Sequence, residues 1–418
     1  VDLSEEERMP AATLAPKAYY RLPWNYSDNA VSWLEPTTKC NLACEGCYRN
    51  TEAGKNKSLD EVQSDLDVFA SLRKSDCISI AGGDPLMHHQ IADIVRTVKA
   101  RGWKPIVNTN GVALTPQNLK ALKGAGAFGF TFHIDTTQVR PRCTAKTETE
   151  LNAERLKYAH MLAREGNLAC AFNSTVSEKT LREVPNLVHW ARDHADCVHT
   201  MVFILFRSPE LSGEFDYFAG GKPIVFGQTY KETSWGGERK VKTSDMVETL
   251  RTVDPTYRPS AYLNGTANPH STKWLLATRL ILNGRVLGYV SPKFQEISQV
   301  FHHLFTGRYL SYVSPKTLRK GKLWTLLSSL LDKDMRKLAR RLIWEHIKNP
   351  LNFFRRATLQ SLMVIQPIDI NADGRQDMCD GCPDVTVHKG RLVWSCRLEE
   401  LNEYGHFVQS YPKQSCAQ

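Results

Sequence analysis

Three cysteines, Cys40, Cys44 and Cys47, stand in C-x3-C-x2-C spacing within Thr37-Thr38-Lys39-Cys40-Asn41-Leu42-Ala43-Cys44-Glu45-Gly46-Cys47-Tyr48. Three thiolates can hold three irons of a four-iron, four-sulfur cluster and leave the fourth iron without a protein ligand. An open iron is a place where a small molecule can chelate and take an electron. Structural zinc favours four closing ligands, and no fourth Cys or His lies close by in the chain to complete such a set. A second group, Cys379 and Cys382 in C-x2-C spacing with Cys396 further on, has the look of a metal knuckle for zinc or a second cluster.

These thiols need a scaffold. From Ala30 to about Arg207 strand and helix signals alternate. Strands are expected at Ala30–Glu35, Cys77–Ile80, Pro105–Asn108, Phe128–Ile134, Leu168–Thr175 and Val198–Phe206. Between them Ser58 with Glu61 marks a capped helix start, and Thr115-Pro116 marks another. The remaining helices are expected over Gln90–Arg101, Glu148–Arg164 and Ser177–His194. Six such units argue for a parallel sheet covered by helices, with chemistry at the carboxyl ends of the strands. Gly82, Gly83, Asp84, Asn110, His133, Asp135 and Ser174 fall at or just past those ends, whereas Cys77 and Cys197 fall at strand starts and Cys170 inside a strand, as core thiols.

The cysteine spacing within this alternation resembles the radical S-adenosylmethionine (radical SAM) superfamily. The resemblance covers Ala30 to about Arg207 and implies an incomplete (β/α)6 TIM-like barrel, a 4Fe-4S cluster on Cys40, Cys44 and Cys47, and SAM bound to its open iron. Gly82-Gly83-Asp84-Pro85 is similar to the family's Gly-Gly-Glu-Pro, whose glycines admit the amino group of SAM, with Asp84 in place of Glu. Gly46 departs from the aromatic residue usual before the third cysteine, and Tyr48 is the candidate to take over contact with adenine. Asn110 and Ser174 are further SAM-binding candidates. The loop His133-Ile134-Asp135-Thr136-Thr137-Gln138 lies where the family places groups for the ribose or the substrate, which makes His133 and Asp135 candidates for both roles. Three readings stay open for Cys143, which follows Arg140-Pro141-Arg142: hydrogen-atom donor, ligand of a second cluster, or an ordinary thiol.

The C-terminal block resembles the auxiliary-cluster extensions called SPASM or twitch domains, although the seven-cysteine SPASM pattern is absent. Cys379, Cys382 and Cys396 would then hold a second 4Fe-4S cluster, zinc being the weaker alternative, with Cys416 as first choice for a fourth ligand and Cys143 as second. Asp369, Asn371, Asp373 and Gly374 imitate a calcium loop, but Asp380 stands where the closing Glu belongs.

The expected organisation is a lead-in over 1–29, the barrel over 30–207, a linker and substrate-facing region over 208–300, a basic amphipathic helical region over 301–360 and the Cys-rich domain over 361–418. The net charge is +10, and the window from Gly307 to Ala357, with thirteen Lys and Arg against Asp332, Asp334 and Glu345, carries a surplus as large. Within it Leu323, Leu327, Leu331, Met335, Leu338 and Leu342 recur at helical spacing, with Lys333, Arg336, Lys337, Arg340 and Arg341 on the other face. Such a helix suits an anionic bilayer surface, and no nucleic-acid motif accompanies its cations. No signal peptide opens the chain and eleven cysteines suit a reducing compartment, so a cytoplasmic protein is expected, peripheral at the inner membrane face. The substrate is then a lipid or other membrane-borne molecule, joined, methylated or reduced after hydrogen abstraction, with a flavodoxin or ferredoxin type donor. The alternatives are modification of a peptide or sugar-like metabolite, and a metal-binding scaffold without turnover.

Overall fold

Strands form where β-branched and aromatic residues run between Gly, Asn and Pro, and helices where apolar residues return every three or four positions. The computed structural model describes residues 14–51, 54–207, 215–225 and 239–413. Its first part is β1 (Val31–Thr37), α1 (Leu59–Leu72), β2 (Cys77–Gly82), α2 (Ile91–Ala100), β3 (Lys104–Thr109), α3 (Pro116–Ala125), β4 (Gly129–His133), α4 (Asn152–Glu165), β5 (Ala169–Val176), α5 (Val184–Asp193) and β6 (Thr200–Leu205). Ser58 and Glu61 make the reciprocal capping bonds of α1, and Thr115 caps α3 with Pro116 in its first turn. The single helix expected over Ser177–His194 is divided into Glu178–Leu181 and α5, which restarts with Pro185 in its first turn, where a missing N–H costs no bond.

β1 to β6 pair in sequence order and each is parallel to the next, the parallel sheet that the alternation argued for and the partial TIM-like barrel that the resemblance implied. The sheet then continues with strands from later in the chain. β10 (Ala357–Ile365) pairs parallel with β6, and β8 (Thr272–Leu282) pairs antiparallel with β10. β7 (Ala261–Asn264) and β9 (Arg285–Tyr289) each pair antiparallel with β8, and Tyr20–Arg21 pairs with β7 at the far edge. The expected division at 208–300 and 301–360 is therefore corrected: β8 and β10 are buried along most of their length because sheet and helices cover both faces. The lead-in is also anchored, with Leu22 and Trp24 packed against Ala30, Ala261 and Leu263.

The longer helices after the first barrel units are α6 (Thr243–Val253), α7 (Pro292–Thr306), α8 (Gly321–Ser329) and α9 (Lys333–Lys348). The stripe from Leu323 to Leu342 reads as one helix, but Asp332 interrupts it. Its carboxylate accepts from the Asp334 amide at 2.8 Å and from the Ser291 hydroxyl, so it caps α9 and ties it to the start of α7. The break splits the expected stripe. Met335, Leu338 and Leu342 are buried on Leu280, Leu282, Ala357 and Leu359, whereas Leu323, Leu327 and Leu331 stay exposed. The Cys-rich end adds a hairpin, β11 (Val385–His388) with β12 (Arg391–Trp394), and α10 (Leu398–Tyr404).

Truncating a buried leucine removes contacts and leaves a cavity. Leu338→Ala should cost about 2–5 kcal/mol in urea unfolding, and Leu330→Ala, at an exposed position, less than about 0.5 kcal/mol. Equal effects would contradict the packing of α9 on the sheet.

Candidate active site

The carboxyl ends of β1, β2, β3 and β4 converge on the loop that carries Cys40, Cys44 and Cys47. Gly83 N–H donates to the Thr37 carbonyl at 2.8 Å, Asp84 N–H to that of Lys39 at 2.7 Å, and Glu45 N–H to that of Thr137 at 2.9 Å. A Cβ at Gly82 would collide with the Thr37 carbonyl and one at Gly83 with the Lys39 backbone, so the two glycines are what lets the cysteine loop seat against β2. Asp84 is buried and accepts from Thr109 Oγ1 at 2.8 Å and from the amides of Asn110 and Leu86 at 2.8 and 2.9 Å. Burial raises its carboxyl and these donors oppose the rise. Asp84 thus fixes β3 to β2. Asn110 Nδ2 donates to Asn41 Oδ1 at 2.7 Å and lies 3.8 Å from Cys40 Sγ.

All three thiols line one cavity of about 1320 Å3, together with Tyr48, Gly82, Gly83, Asp84, Asn110 and His133. Burial pushes each thiol up, and for Cys44 the neighbouring Cys47 and Cys40 add to it while a bond from Gln138 opposes. Thiols that repel one another in a buried place suit a cationic metal centre, which removes both penalties. The indole N–H groups of Trp24 and Trp33 are buried without an acceptor among the described residues, and both rings line the cavity. Spare donors there suit a ligand with acceptor atoms.

Gly46 adopts a positive φ of 70°, and a Cβ on it would run into the ring of Phe206 from the end of β6. The aromatic surface missing at position 46 is therefore supplied from across the barrel. Tyr48 lines the cavity with its ring 4.8 Å from the Arg49 guanidinium.

His133 Nε2 lies 2.6 Å from Asp135 Oδ2 and 3.2 Å from Thr175 Oγ1. Burial works against the imidazolium, but the Asp135 carboxylate outweighs it and raises the His133 pKa. His133 faces the cavity and the buried Asp135 stands behind it as its partner. Ser174 points away and donates to Glu148 Oε2 at 3.0 Å, while its neighbours Asn173 and Thr175 line the cavity. The signal that distinguishes them is the two-residue period of β5, counted from the buried face. Gln138, Trp33 and Phe206 also line the site without having been singled out in the sequence.

The second thiol group opens on the same cavity. Cys379, Cys382 and Cys396 line it beside Asp384. A hydrogen bond with Cys379, then burial, raises Cys382, and burial followed by Cys382 raises Cys396. Burial, reinforced by Glu35, holds the Asp384 carboxyl up at about 7. The two groups are joined by a buried ion pair: Arg49 binds Glu35 of β1, and its guanidinium also donates to the Ser395 carbonyl at 2.8 Å. The Ser395 hydroxyl completes the joint by donating to Glu35 at 2.6 Å. Cys143 does not line the cavity, and Cys416 lies outside the described residues. The calcium-like loop is spent on ion pairs, Asp369 with Arg207 at 2.5 Å and Lys273 at 2.8 Å, and Asp373 with Arg375 at 2.6 Å.

Below the thiols the cavity continues down the barrel. TIM barrels fill this space with bulky apolar side chains. Here Ser79, Thr131, Ala171, Thr200, Thr278 and Ser361 line it and leave it open. At the amino ends of the strands it passes Tyr312, whose hydroxyl is 3.1 Å from Thr131 Oγ1, and reaches α7 and α8 at Phe301, Phe305, Trp324, Leu327 and Leu331.

Residues 34–191 match the model of the Radical SAM superfamily. It is 27% identical over 186 residues to an AdoMet-dependent heme synthase of Methanosarcina barkeri, covering 42% of this chain and 50% of that protein. It is 32% identical over 187 residues to a probable GTP 3′,8-cyclase of Methanococcus maripaludis, 43% of this chain and 60% of that one. The chain thus spans about half the length of these relatives. Streptococcus suis SuiB bound to S-adenosylmethionine superposes with a TM-score of 0.39 at 12% identity, over 54% of this chain and 47% of that one.

Removing one partner of a buried pair strands the other's charge. Arg49→Met should cost about 3–5 kcal/mol of unfolding free energy, and adding Glu35→Gln should restore most of it. A single change that costs less than the double would contradict the joint.

Proposed function

We propose that this radical SAM enzyme abstracts hydrogen from an unactivated C–H bond of a lipid or other membrane-borne molecule, leading to C–C bond formation, methylation or reduction. The observation that carries the reading is the cavity itself, which runs from the two thiol groups to α7 and α8, where Phe301, Phe305, Trp324 and Leu327 stand among polar side chains such as Gln295 and Ser298 in its lining. Cys40, Cys44 and Cys47 would hold the 4Fe-4S cluster, and Gly82, Gly83, Asn110 and Tyr48 stand around the space for SAM. When bound, the pair supplies a 5′-deoxyadenosyl radical after one-electron cleavage of the sulfonium, the electron coming from a flavodoxin or ferredoxin type donor. The chain's own work is positional. Asp84 holds the cysteine loop and β3 in register, Asp135 orients His133 toward the cavity, and the barrel wall keeps water and stray hydrogen donors from the reacting carbon. Cys379, Cys382 and Cys396, with Cys416 as candidate fourth ligand, would hold a second 4Fe-4S cluster or zinc. Cys143, away from the cavity, is left with no part in this scheme.

A second reading, modification of a polar metabolite or peptide, is favoured by the named activities of the relatives, which include GTP cyclisation. The family match, however, ends at residue 191, before β6, β8, β10, α7 and α8, which build the lower half of the cavity. Substrate choice belongs to that half. Among the described residues no helix is long and apolar enough to cross a membrane, so contact with a bilayer would be peripheral.

Replacing Cys40, Cys44 and Cys47 by Ala should remove about four irons per chain and end SAM cleavage to 5′-deoxyadenosine. Cys379→Ala with Cys382→Ala should remove the second metal centre and product formation while SAM cleavage persists. Iron that is unchanged in the first variant contradicts the enzyme reading and leaves a scaffold.

A further inference from the structure

The lower end of the cavity is open between two helices with an unusual surface. α7 exposes Leu304 and Phe305 at 74% and 78%, and Leu330 just beyond α8 is exposed at 74%. Phe301, Phe305, Trp324, Leu327 and Leu331 are exposed and also line the cavity, so the outer apolar face and the inner wall are one continuous surface. A contiguous apolar face of this kind on a folded protein marks an interaction site.

Charge identifies its partner. Exposed cations stand in the segments that flank α8 in the chain, Lys316 and Lys320 before it and Arg336, Lys337, Arg340 and Arg341 after it, and no acidic residue interrupts the run from Met335 to Trp344. Phe354, exposed at 88%, is followed directly by the exposed Arg355 and Arg356. Aromatic and aliphatic tips beside Lys and Arg suit the boundary between acyl chains and anionic headgroups. A second copy of the chain would bring like charges together.

We infer that the mouth between α7 and α8 docks on an anionic bilayer and that a lipid chain passes from it through the amino-terminal end of the barrel to the two thiol groups. The inference rests on the lipid reading above and adds the route. It reverses the usual direction of barrel enzymes, whose ligands enter at the carboxyl ends of the strands. At the carboxyl end of β1, Arg49 and Ser395 fasten the Cys-rich block beside the cysteine loop. Along this route the cavity is lined by Ser79, Ala171 and Thr200 together with Val202, Ile204 and Leu359, and the cluster end would meet the chain's far portion rather than its headgroup.

The test uses the full chain and two probes: vesicles of phosphatidylglycerol with phosphatidylcholine, and stearate spin-labelled near its methyl end. The protein should float with the anionic vesicles at low salt, release as salt rises, and lose at least ten-fold in binding on Leu304→Asp with Leu330→Asp, neither of which lines the cavity. Iron content and uncoupled SAM cleavage should not change in that variant. The nitroxide of bound stearate should relax faster when the cluster is reduced, and Leu327→Arg at the mouth should abolish this while flotation persists. Failure of the unaltered protein to float at low salt overturns the inference, as does a discrete dimer that buries this face in sedimentation. A lipid-derived product formed equally well by Leu327→Arg overturns the route but leaves the lipid reading standing. Stearate excluded from the unaltered protein, with only polar metabolites yielding product, overturns that reading as well.

Discussion

Arg49 donates to Glu35 and Ser395 inside the protein, and through that joint the first barrel strand and the cysteine loop are held to a segment 346 residues beyond Arg49 in the chain. Glu35 belongs to the first barrel strand, Arg49 follows the third cysteine by two residues, and Ser395 immediately precedes Cys396. Ion pairs at this depth add little net stability, because desolvation offsets the attraction, but they penalise every arrangement that leaves one partner alone. The effect here is geometric. With the pair formed, both thiol groups must face the same cavity.

The second constraint is what the barrel leaves out. Ser79, Thr131, Ala171 and Thr200 stand where larger apolar side chains would complete a packed interior, and the sheet surrounds a cavity. The hydrophobic packing that this forgoes is made outside it, by α1 to α5 on the first strands and by α9 on β8 and β10. Helices that would normally shield the amino ends of the strands instead expose Leu304, Phe305 and Leu330. Stability and access are thus assigned to different faces of the same sheet.

Much of this was legible in the chain, for local reasons. The C-x3-C-x2-C spacing, the glycines after β2 and the capped starts at Ser58 and Thr115 are all short-range signals, and the six parallel units follow from them. The rest depends on contacts that spacing does not record. The end of β5 is legible in the sequence but its facing is not, so Ser174 reads as a site residue although Asn173 and Thr175 line the cavity. The stripe from Leu323 to Leu342 reads as one helix until Asp332 finds the Ser291 hydroxyl to hold it as a cap. β8 and β10 are plain apolar runs whose place beside β6 is a matter of pairing at long range, and the ring that fills the space at Gly46 comes from Phe206.

The most direct test of the account is deuterium transfer. The protein would be incubated anaerobically with SAM, a low-potential reductant and vesicles made from perdeuterated membrane lipids, and the 5′-deoxyadenosine formed would be weighed by mass spectrometry. Hydrogen abstraction from a lipid chain inside the cavity predicts 5′-deoxyadenosine carrying substrate deuterium, and none with vesicles of unlabelled lipid. Abundant 5′-deoxyadenosine without deuterium, appearing alongside label transfer from a polar extract of the same cells, would contradict it.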